Sequence, residues 1–211
     1  MRIDIWSDVI CPWCFLGKRR FDQAVERLGG LDGVEVRWRA FQLDPTATTE
    51  PGDLKRSIEA KYGSGAFDQM TRRLGALGEA DGIDYRFDLA KRVNTIDAHR
   101  LVAWSLATDG PAVQAALVEV LFRAYFQEGA NVADHATLAG AATEVGLDGD
   151  AAAAMLAGGD HLATVEADLV QAREHGIAGV PAFVLDEAFV IPGAQDTDTF
   201  VNLIGRVLDR A

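Results

Sequence analysis

Residues 1–14 read MRIDIWSDVICPWC. Its apolar positions predict a short β-strand: Ile3, Ile5, Val9 and Ile10. The strand runs directly into Cys11-Pro12-Trp13-Cys14, after which apolar residues recur at helical spacing until Gly29-Gly30 ends the segment. A C-x-x-C pair is therefore predicted at the point where a strand meets the N-terminus of a helix.

This position gives the two cysteines different expected roles. The unpaired N–H groups and the dipole at a helix N-terminus stabilise an anion, so Cys11 is expected to act as a thiolate nucleophile. Cys14 lies one turn further into the helix, where it is expected to be shielded but within reach of Cys11. Cys11 would form a mixed disulfide with a substrate and Cys14 would resolve it, while Trp13 offers an apolar surface for substrate beside the reactive sulfur.

The cysteine pair has two other interpretations. A zinc half-site needs two further ligands, but the chain has no third cysteine, and its histidines show no H-x₃₋₅-H spacing: His99, His135, His161 and His175. No metal site is therefore predicted. Two inert buried thiols are the other interpretation, although a C-x-x-C pair between a strand and a helix is typical of redox proteins.

The rest of the chain places strands at its two ends and helices between them. Residues 34–40 alternate apolar and polar side chains, which predicts a strand with one buried face. From about residue 53 to 160 the periodicity is helical, with glycine-rich interruptions. Residues 182–191 predict a hairpin that turns at Asp186-Glu187, and residues 196–208 predict a final amphipathic helix.

Composition narrows the classes of function. The chain has 211 residues, of which 49% are hydrophobic, and its formal charge is −12 with only two cysteines. A chain of this size needs no disulfide framework, and its excess of acids argues against nucleic acid and anionic membrane partners. The first residues lack a signal-peptide pattern and no apolar run reaches about 18 residues, so we expect a cytoplasmic protein without a membrane span.

Several stretches together resemble one known family: Cys11-Pro12-Trp13-Cys14, Phe41-Gln42-Leu43-Asp44-Pro45, Asn94-Thr95, Ala98-His99-Arg100-Leu101, Gly179-Val180-Pro181-Ala182-Phe183 and Gly193-Ala194-Gln195. Over essentially its whole length the chain is similar to the DsbA family of the thioredoxin superfamily. It is most similar to the FrnE-like members and to their relatives, the kappa-class glutathione transferases and 2-hydroxychromene-2-carboxylate isomerases.

The resemblance implies an α/β thioredoxin fold with an inserted all-helical subdomain. Its central mixed sheet would have about four strands flanked by helices. The first part of the thioredoxin fold is expected over residues 1–50, the helical insertion over 51–160 and the second part over 161–211.

The resemblance also implies further site residues. Val180-Pro181 is expected to be a cis peptide facing Cys11, so that Pro181 belongs to the catalytic centre and the Val180 backbone binds substrate. Asn94 and His99 would line the roof of the cleft, although a helix cap and a satisfied core histidine are the alternatives. Gln42 and Asp196 are also candidate substrate contacts, and Asp196 equally suits a helix N-cap.

The family relatives that isomerise or conjugate through glutathione carry Ser at the position of Cys11, so a cysteine there favours electron exchange. We therefore predict a protein disulfide oxidoreductase without a cofactor. Its partners would be protein thiols and disulfides or small thiols, with glutathione as a candidate co-substrate.

A glutathione-dependent isomerase or transferase acting on a small aromatic molecule is the alternative function, and a non-catalytic interaction module is a third interpretation. Homodimer formation and the direction of electron flow stay open.

Overall fold

The computed structural model describes residues 1–208, so the last three residues of the predicted third segment lie outside it. Eight helices and four strands make up the described part of the chain. Their order is β1 (Arg2–Ser7), α1 (Pro12–Arg27), β2 (Glu35–Ala40), α2 (Leu54–Tyr62), α3 (Ala66–Ala80), α4 (Ile96–Phe126), α5 (His135–Glu144), α6 (Gly149–Ala157), α7 (Leu162–Glu174), β3 (Ala182–Leu185), β4 (Phe189–Pro192) and α8 (Thr197–Leu208).

The four strands form one mixed sheet in the order β2-β1-β3-β4. β1 runs parallel to β2, with Ile5 opposite Trp38, and antiparallel to β3, with Ile5 opposite Phe183. β3 and β4 form the predicted hairpin. Asp186 and Glu187 at its turn have φ of 46° and 60°, as the central residues of a type I′ turn do. The predicted thioredoxin fold and mixed sheet are confirmed.

The first strand is shorter than the sequence predicts. β1 ends at Ser7, and Val9 and Ile10 lie in a turn that is closed by a 2.9 Å hydrogen bond from the Cys11 N–H to the Asp8 carbonyl. Val9 is nevertheless buried, with only 3% of its surface exposed. Its side chain packs in the core from a turn, so its apolar character reflects burial and not strand pairing.

Five helices, α2 to α6, lie between β2 and α7. The longest helix of the predicted helical region is α4, which Gly110 (φ 81°) and Pro111 divide into two helical parts. α4 has the length and mean hydropathy, 1.2, of a membrane-crossing helix. It nevertheless buries Leu117, Leu121 and Phe122 completely against the rest of the fold, as a central core helix does.

Aromatic side chains join the helical region to the sheet. Phe15 of α1 stacks on Phe122 of α4 with ring centroids 5.1 Å apart. On the opposite side of α1, Phe21 stacks on Phe183 of β3 at 5.4 Å, and Phe200 of α8 completes this cluster. α1 is therefore fixed from both sides, and with it the position of the two cysteines at its start.

Candidate active site

The two cysteines lie where the sequence predicts, at the first turn of α1. Cys11 is the N-cap residue, Pro12 is the first helical residue, and the N–H groups of Cys14 and Phe15 donate to the Cys11 carbonyl at 3.0 and 3.3 Å. Cys11 and Cys14 come within 3.3 Å of each other. Cys11 is 3% exposed and Cys14 is completely buried, so solvent reaches the pair only from the side of Cys11.

The environment of Cys14 keeps it in the thiol form. Burial raises the pKa of the Cys14 thiol well above its usual value, and the hydrogen bond and charge of Cys11 raise it further. The backbone of Asp8 and the hydroxyl of Ser7 act in the opposite direction but are weaker. Cys14 is therefore a protonated thiol at neutral pH, held beside Cys11 and away from solvent.

A second loop approaches Cys11 from the other end of the chain. The Val180–Pro181 peptide bond is cis, as the family resemblance implies. The Cys11 Sγ lies 3.6 Å from the Val180 carbonyl oxygen. A Cβ atom at Gly17 would come within 2.8 Å of the Pro181 Cγ, so α1 approaches this loop through a residue without a side chain. We call residues 179–181 the cis-proline loop.

The helical region also contacts the start of α1. The Tyr85 hydroxyl donates a 2.6 Å hydrogen bond to the Pro12 carbonyl, and the Tyr85 ring stacks on Phe87 at 4.9 Å. Burial raises the pKa of Tyr85, so the phenol stays protonated and remains a donor. The Arg73 guanidinium lies 5.5 Å from the centre of the Trp13 ring.

Gln42 and Asn94 are hydrogen-bonded to each other, and His99 is bonded to the neighbouring Phe41 backbone. The His99 Nε2 donates to the Phe41 carbonyl at 2.9 Å, and His99 is only 4% exposed. The Asn94 side chain donates to the Ala47 carbonyl at 2.9 Å and accepts from Gln42 at 3.4 Å. These contacts hold residues 41–47 against the beginning of α4, and a role in substrate binding stays a prediction for all three.

Asp8 is an acidic residue that is completely buried in this region. One carboxylate oxygen accepts from the Leu43 N–H at 2.7 Å, and the other lies 3.4 Å from the His99 Nε2. That second oxygen has no hydrogen-bond partner of good geometry. The Asp8 backbone in turn forms a hydrogen bond with the Cys14 thiol.

Asp196 lies at the N-cap of α8. Its carboxylate accepts 2.8 Å hydrogen bonds from the Thr199 N–H and hydroxyl, and these bonds lower the pKa of Asp196. The Asp196 carboxylate thus supplies the acceptor that the Thr199 N–H in the first turn of α8 needs. Binding of a ligand by Asp196 stays a prediction.

A cavity of about 570 Å³ opens beside Cys11. One side is formed by Ile10, Pro12, Trp13 and Val180, and the opposite side by α2 and α3. We call α2 and α3, residues 54–80, the roof. Among the predicted site residues, Cys11, Trp13 and Val180 line this cavity, whereas Cys14, Gln42, Asn94, His99, Pro181 and Asp196 do not.

Sequence reasoning missed four residues that shape the site: Gly17, Arg73, Tyr85 and Asp8. A glycine inside a predicted helix was the available signal for Gly17, because glycine lowers helix propensity and therefore suggests a close packing contact there. An acid in an apolar stretch just before the cysteines was the signal for Asp8. For Arg73 and Tyr85 no local signal exists, since their partners lie 60 and 73 residues away.

The sheet order, the two cysteines at the start of α1 and the cis-proline loop define a thioredoxin-fold protein with an inserted helical region. The family described as DSBA-like thioredoxin domain matches residues 2–205. The chain belongs to this family.

Similar proteins agree with the family. The crystal structure of a probable DsbA oxidoreductase from Streptomyces coelicolor is 33% identical with a TM-score of 0.91, covering 100% of this chain and 91% of that one. The uncharacterized protein YwbO of Bacillus subtilis is 27% identical over 97% of this chain and 96% of its own. The cytosolic disulfide reductase DsbM of Pseudomonas aeruginosa, in a structure with glutathione, has a TM-score of 0.71 at 22% identity over 99% of this chain and 100% of that one, a likeness of fold.

Proposed function

We propose that the protein is a thiol–disulfide oxidoreductase in which Cys11 forms a mixed disulfide with the substrate and Cys14 resolves it. The observation that carries the proposal is the approach of Cys11 and Cys14 to 3.3 Å at the start of α1, with Cys11 turned toward the cavity and Cys14 behind it. The match to the DsbA-like family supports it independently.

The reaction transfers two electrons between the pair of cysteines and a substrate. The Cys11 thiolate attacks one sulfur of a substrate disulfide, forms a mixed disulfide, and expels the other substrate sulfur as a thiolate that takes a proton. Cys14 then loses its proton and attacks the Cys11 sulfur, which releases the second substrate thiol and leaves a Cys11–Cys14 disulfide. The same steps in reverse oxidise a substrate dithiol.

The rest of the site supports the roles of Cys11 as nucleophile and Cys14 as resolving thiol. Cys14 is held as a neutral thiol by burial, so it does not compete with Cys11 for the incoming disulfide. The Val180 carbonyl, 3.6 Å from the Cys11 Sγ, and the half-buried Trp13 are positioned to contact the substrate beside the reacting sulfur. Glutathione is the proposed thiol that returns the pair to its starting state, in keeping with the glutathione-containing structure of DsbM.

The apolar cavity also suits the second candidate function, a glutathione-dependent isomerase or transferase acting on a small aromatic molecule. The two functions differ in their need for Cys14. Isomerisation or conjugation uses the thiol of glutathione and consumes no electrons, so its turnover would survive Cys14→Ser. Turnover by disulfide exchange would not survive Cys14→Ser, because Cys14 is needed to release the product.

Two single variants test the proposal, because Cys11 and Cys14 are the only cysteines in the chain. Cys11→Ser is expected to abolish insulin reduction driven by dithiothreitol. On reaction with oxidised glutathione, Cys14→Ser is expected to release one reduced glutathione and to accumulate a stable mixed disulfide between Cys11 and the other, visible as a mass increase that dithiothreitol reverses. Undiminished insulin reduction by Cys11→Ser would contradict the proposal. The reduction potential measured against glutathione then sets the direction of electron flow.

A further inference from the structure

The cavity beside Cys11 has an apolar roof, and its first helix, α2, is only partly buried. α2 presents Leu54 and Ile58 to the cavity one turn apart, followed by Tyr62, yet none of its residues is buried. Exposed apolar side chains surround the same cavity: Leu43 is 42%, Tyr62 60% and Met70 38% exposed. Apolar surface left open in this way around a concave site is characteristic of a surface that a ligand covers.

Access to the nucleophile passes through this cavity. Cys11 lines it and is only 3% exposed, so its sulfur does not project from the surface. A disulfide fixed in the surface of a folded protein would have to enter a recess between the cis-proline loop and the roof. A small molecule meets no such restriction, because a cavity of about 570 Å³ has the size of sites that enclose one small ligand.

The lining indicates which chemistry the cavity favours. Its far side is aromatic and aliphatic and includes Phe67, Phe87 and Phe126. The Arg92 guanidinium at its edge is already paired with the Asp44 carboxylate at 2.7 Å, and the Lys61 ammonium lies 5.2 Å from the centre of the Tyr62 ring. These pairings leave the interior suited to an apolar ring more than to an anion.

We propose that this cavity binds one apolar, ring-sized arm of a small disulfide and so places the sulfur of that arm at Cys11. This inference rests on the proposed function and names the substrate class of the same site. The Cys11 thiolate attacks the sulfur that carries the bound arm and expels the other half of the disulfide as a thiolate into solvent. Attack by Cys14 on Cys11 then releases the apolar thiol, and the Cys11–Cys14 pair is oxidised by two electrons.

The test compares two small disulfides on the fully reduced protein in single-turnover stopped-flow measurements. The aromatic probe is 4,4′-dithiodipyridine and the polar probe is bis(2-hydroxyethyl) disulfide. The test variant is Ser57→Phe, which adds a ring inside the cavity from α2. The matched control is Ser64→Phe, which adds the same ring at an exposed position between α2 and α3, away from the cavity.

We expect Ser57→Phe to lower the ratio of the aromatic to the polar rate constant by about tenfold, because the added ring takes the place of the bound arm. Ser64→Phe should leave the ratio within about twofold, the range of an ordinary surface substitution. An equal decrease with both probes, or no decrease with either, would overturn the inference. Since α2 contributes no buried residue, the fold should tolerate the substitution, and reaction with the polar probe verifies that Cys11 is intact.

Failure of the proposed function gives a different result. In that case Cys11→Ser would react with both probes as fast as the unaltered protein, whatever the residue at position 57. Thr71→Phe repeats the experiment from α3, on the other helix of the roof. The same loss of preference for the aromatic probe is expected there, and an unchanged preference would overturn the inference.

Discussion

α1 and α2 border the same cavity but are held in place differently. α1 buries side chains along most of its length, among them Cys14, Phe15 and Phe21, and packs between the sheet side and α4. α2 buries none and packs against α3. The cysteine side of the cavity is therefore fixed by the core, whereas α2 contributes no buried residue to the roof side. The proposed function thus places the reacting cysteines on the more deeply packed wall and the proposed substrate contacts on the less buried one.

The largest expected effect contrasts an apolar side chain in each wall. Phe15→Ala removes a completely buried ring that stacks on Phe122 and Phe126, and should lower the free energy of unfolding by about 3–5 kcal/mol. Ile58→Ala in α2 removes a half-buried side chain and should cost less than about 1 kcal/mol. Urea denaturation followed by circular dichroism measures both. Equal losses would show that α2 is as well packed as α1.

The next contrast uses glycines at helix-interior positions of α1 and α3. Gly17→Ala places a methyl group 2.8 Å from the Pro181 Cγ and should destabilise the protein by about 1–3 kcal/mol through overpacking. A Cβ at Gly75 in α3 meets no atom within 4 Å, so Gly75→Ala should stabilise by up to about 1 kcal/mol through helix propensity.

Both glycine variants are measured by urea denaturation and by the rate of Cys11 alkylation. Gly17→Ala should change that rate because the cis-proline loop must move, and Gly75→Ala should not. Stabilisation by both substitutions would mean that the Pro181 contact relaxes without cost, which would remove the basis for treating Gly17 as a packing determinant of the site.

The elements that sequence predicts well are those with a local pattern. The alternation in residues 34–40 and the apolar face of residues 196–208 follow from burial of one side of an element, so β2 and α8 lie where expected. The same reasoning fails at Val9 and Ile10, where a turn buries apolar side chains without strand pairing.

Features that depend on contacts between distant segments could not be predicted from a local sequence pattern. The dithiol could be predicted because both cysteines lie in one motif, and the cis bond at Pro181 followed from the family resemblance alone. The contact of Gly17 with Pro181 and the hydrogen bond of Tyr85 to Pro12 join segments far apart in sequence. The cavity arises from the packing of several such segments, so no single stretch of sequence encodes it.

A pH dependence follows from the buried wall. The pKa of Cys14 is raised in the folded state by burial, so the stabilising effect of its bound proton is complete below the unfolded value near 8.5 and is lost as pH rises toward the folded pKa. Above the unfolded value the free energy of unfolding of the reduced protein should therefore decrease as the pH rises. Cys14→Ser lacks the titrating thiol and should lose less stability over the same interval.

Urea denaturation of both proteins at pH 7, 8.5 and 10 under reducing conditions checks this expectation. Burial, the largest cause of the raised pKa values of Tyr85 and Tyr125, is present in both proteins, so most of their contribution cancels in the comparison. Parallel decreases in the two proteins would mean that Cys14 is not the group whose burial sets the alkaline limit.

The smallest expected effect tests the link between the two walls. Tyr85, in the segment between α3 and α4, donates to the Pro12 carbonyl at 2.6 Å, and Tyr125 in α4 donates a bond of the same length to the Lys91 carbonyl. Tyr85→Phe and Tyr125→Phe therefore remove equivalent hydrogen bonds, and each should lower the free energy of unfolding by about 1 kcal/mol. Of these two hydrogen bonds, only that of Tyr85 reaches the residue next to Cys11, so Tyr85→Phe should change the rate at which iodoacetamide alkylates Cys11 and Tyr125→Phe should not. If both variants changed that rate equally, the hydrogen bond to Pro12 would be a general contribution to stability and the position of the cysteine turn would depend on α1 alone.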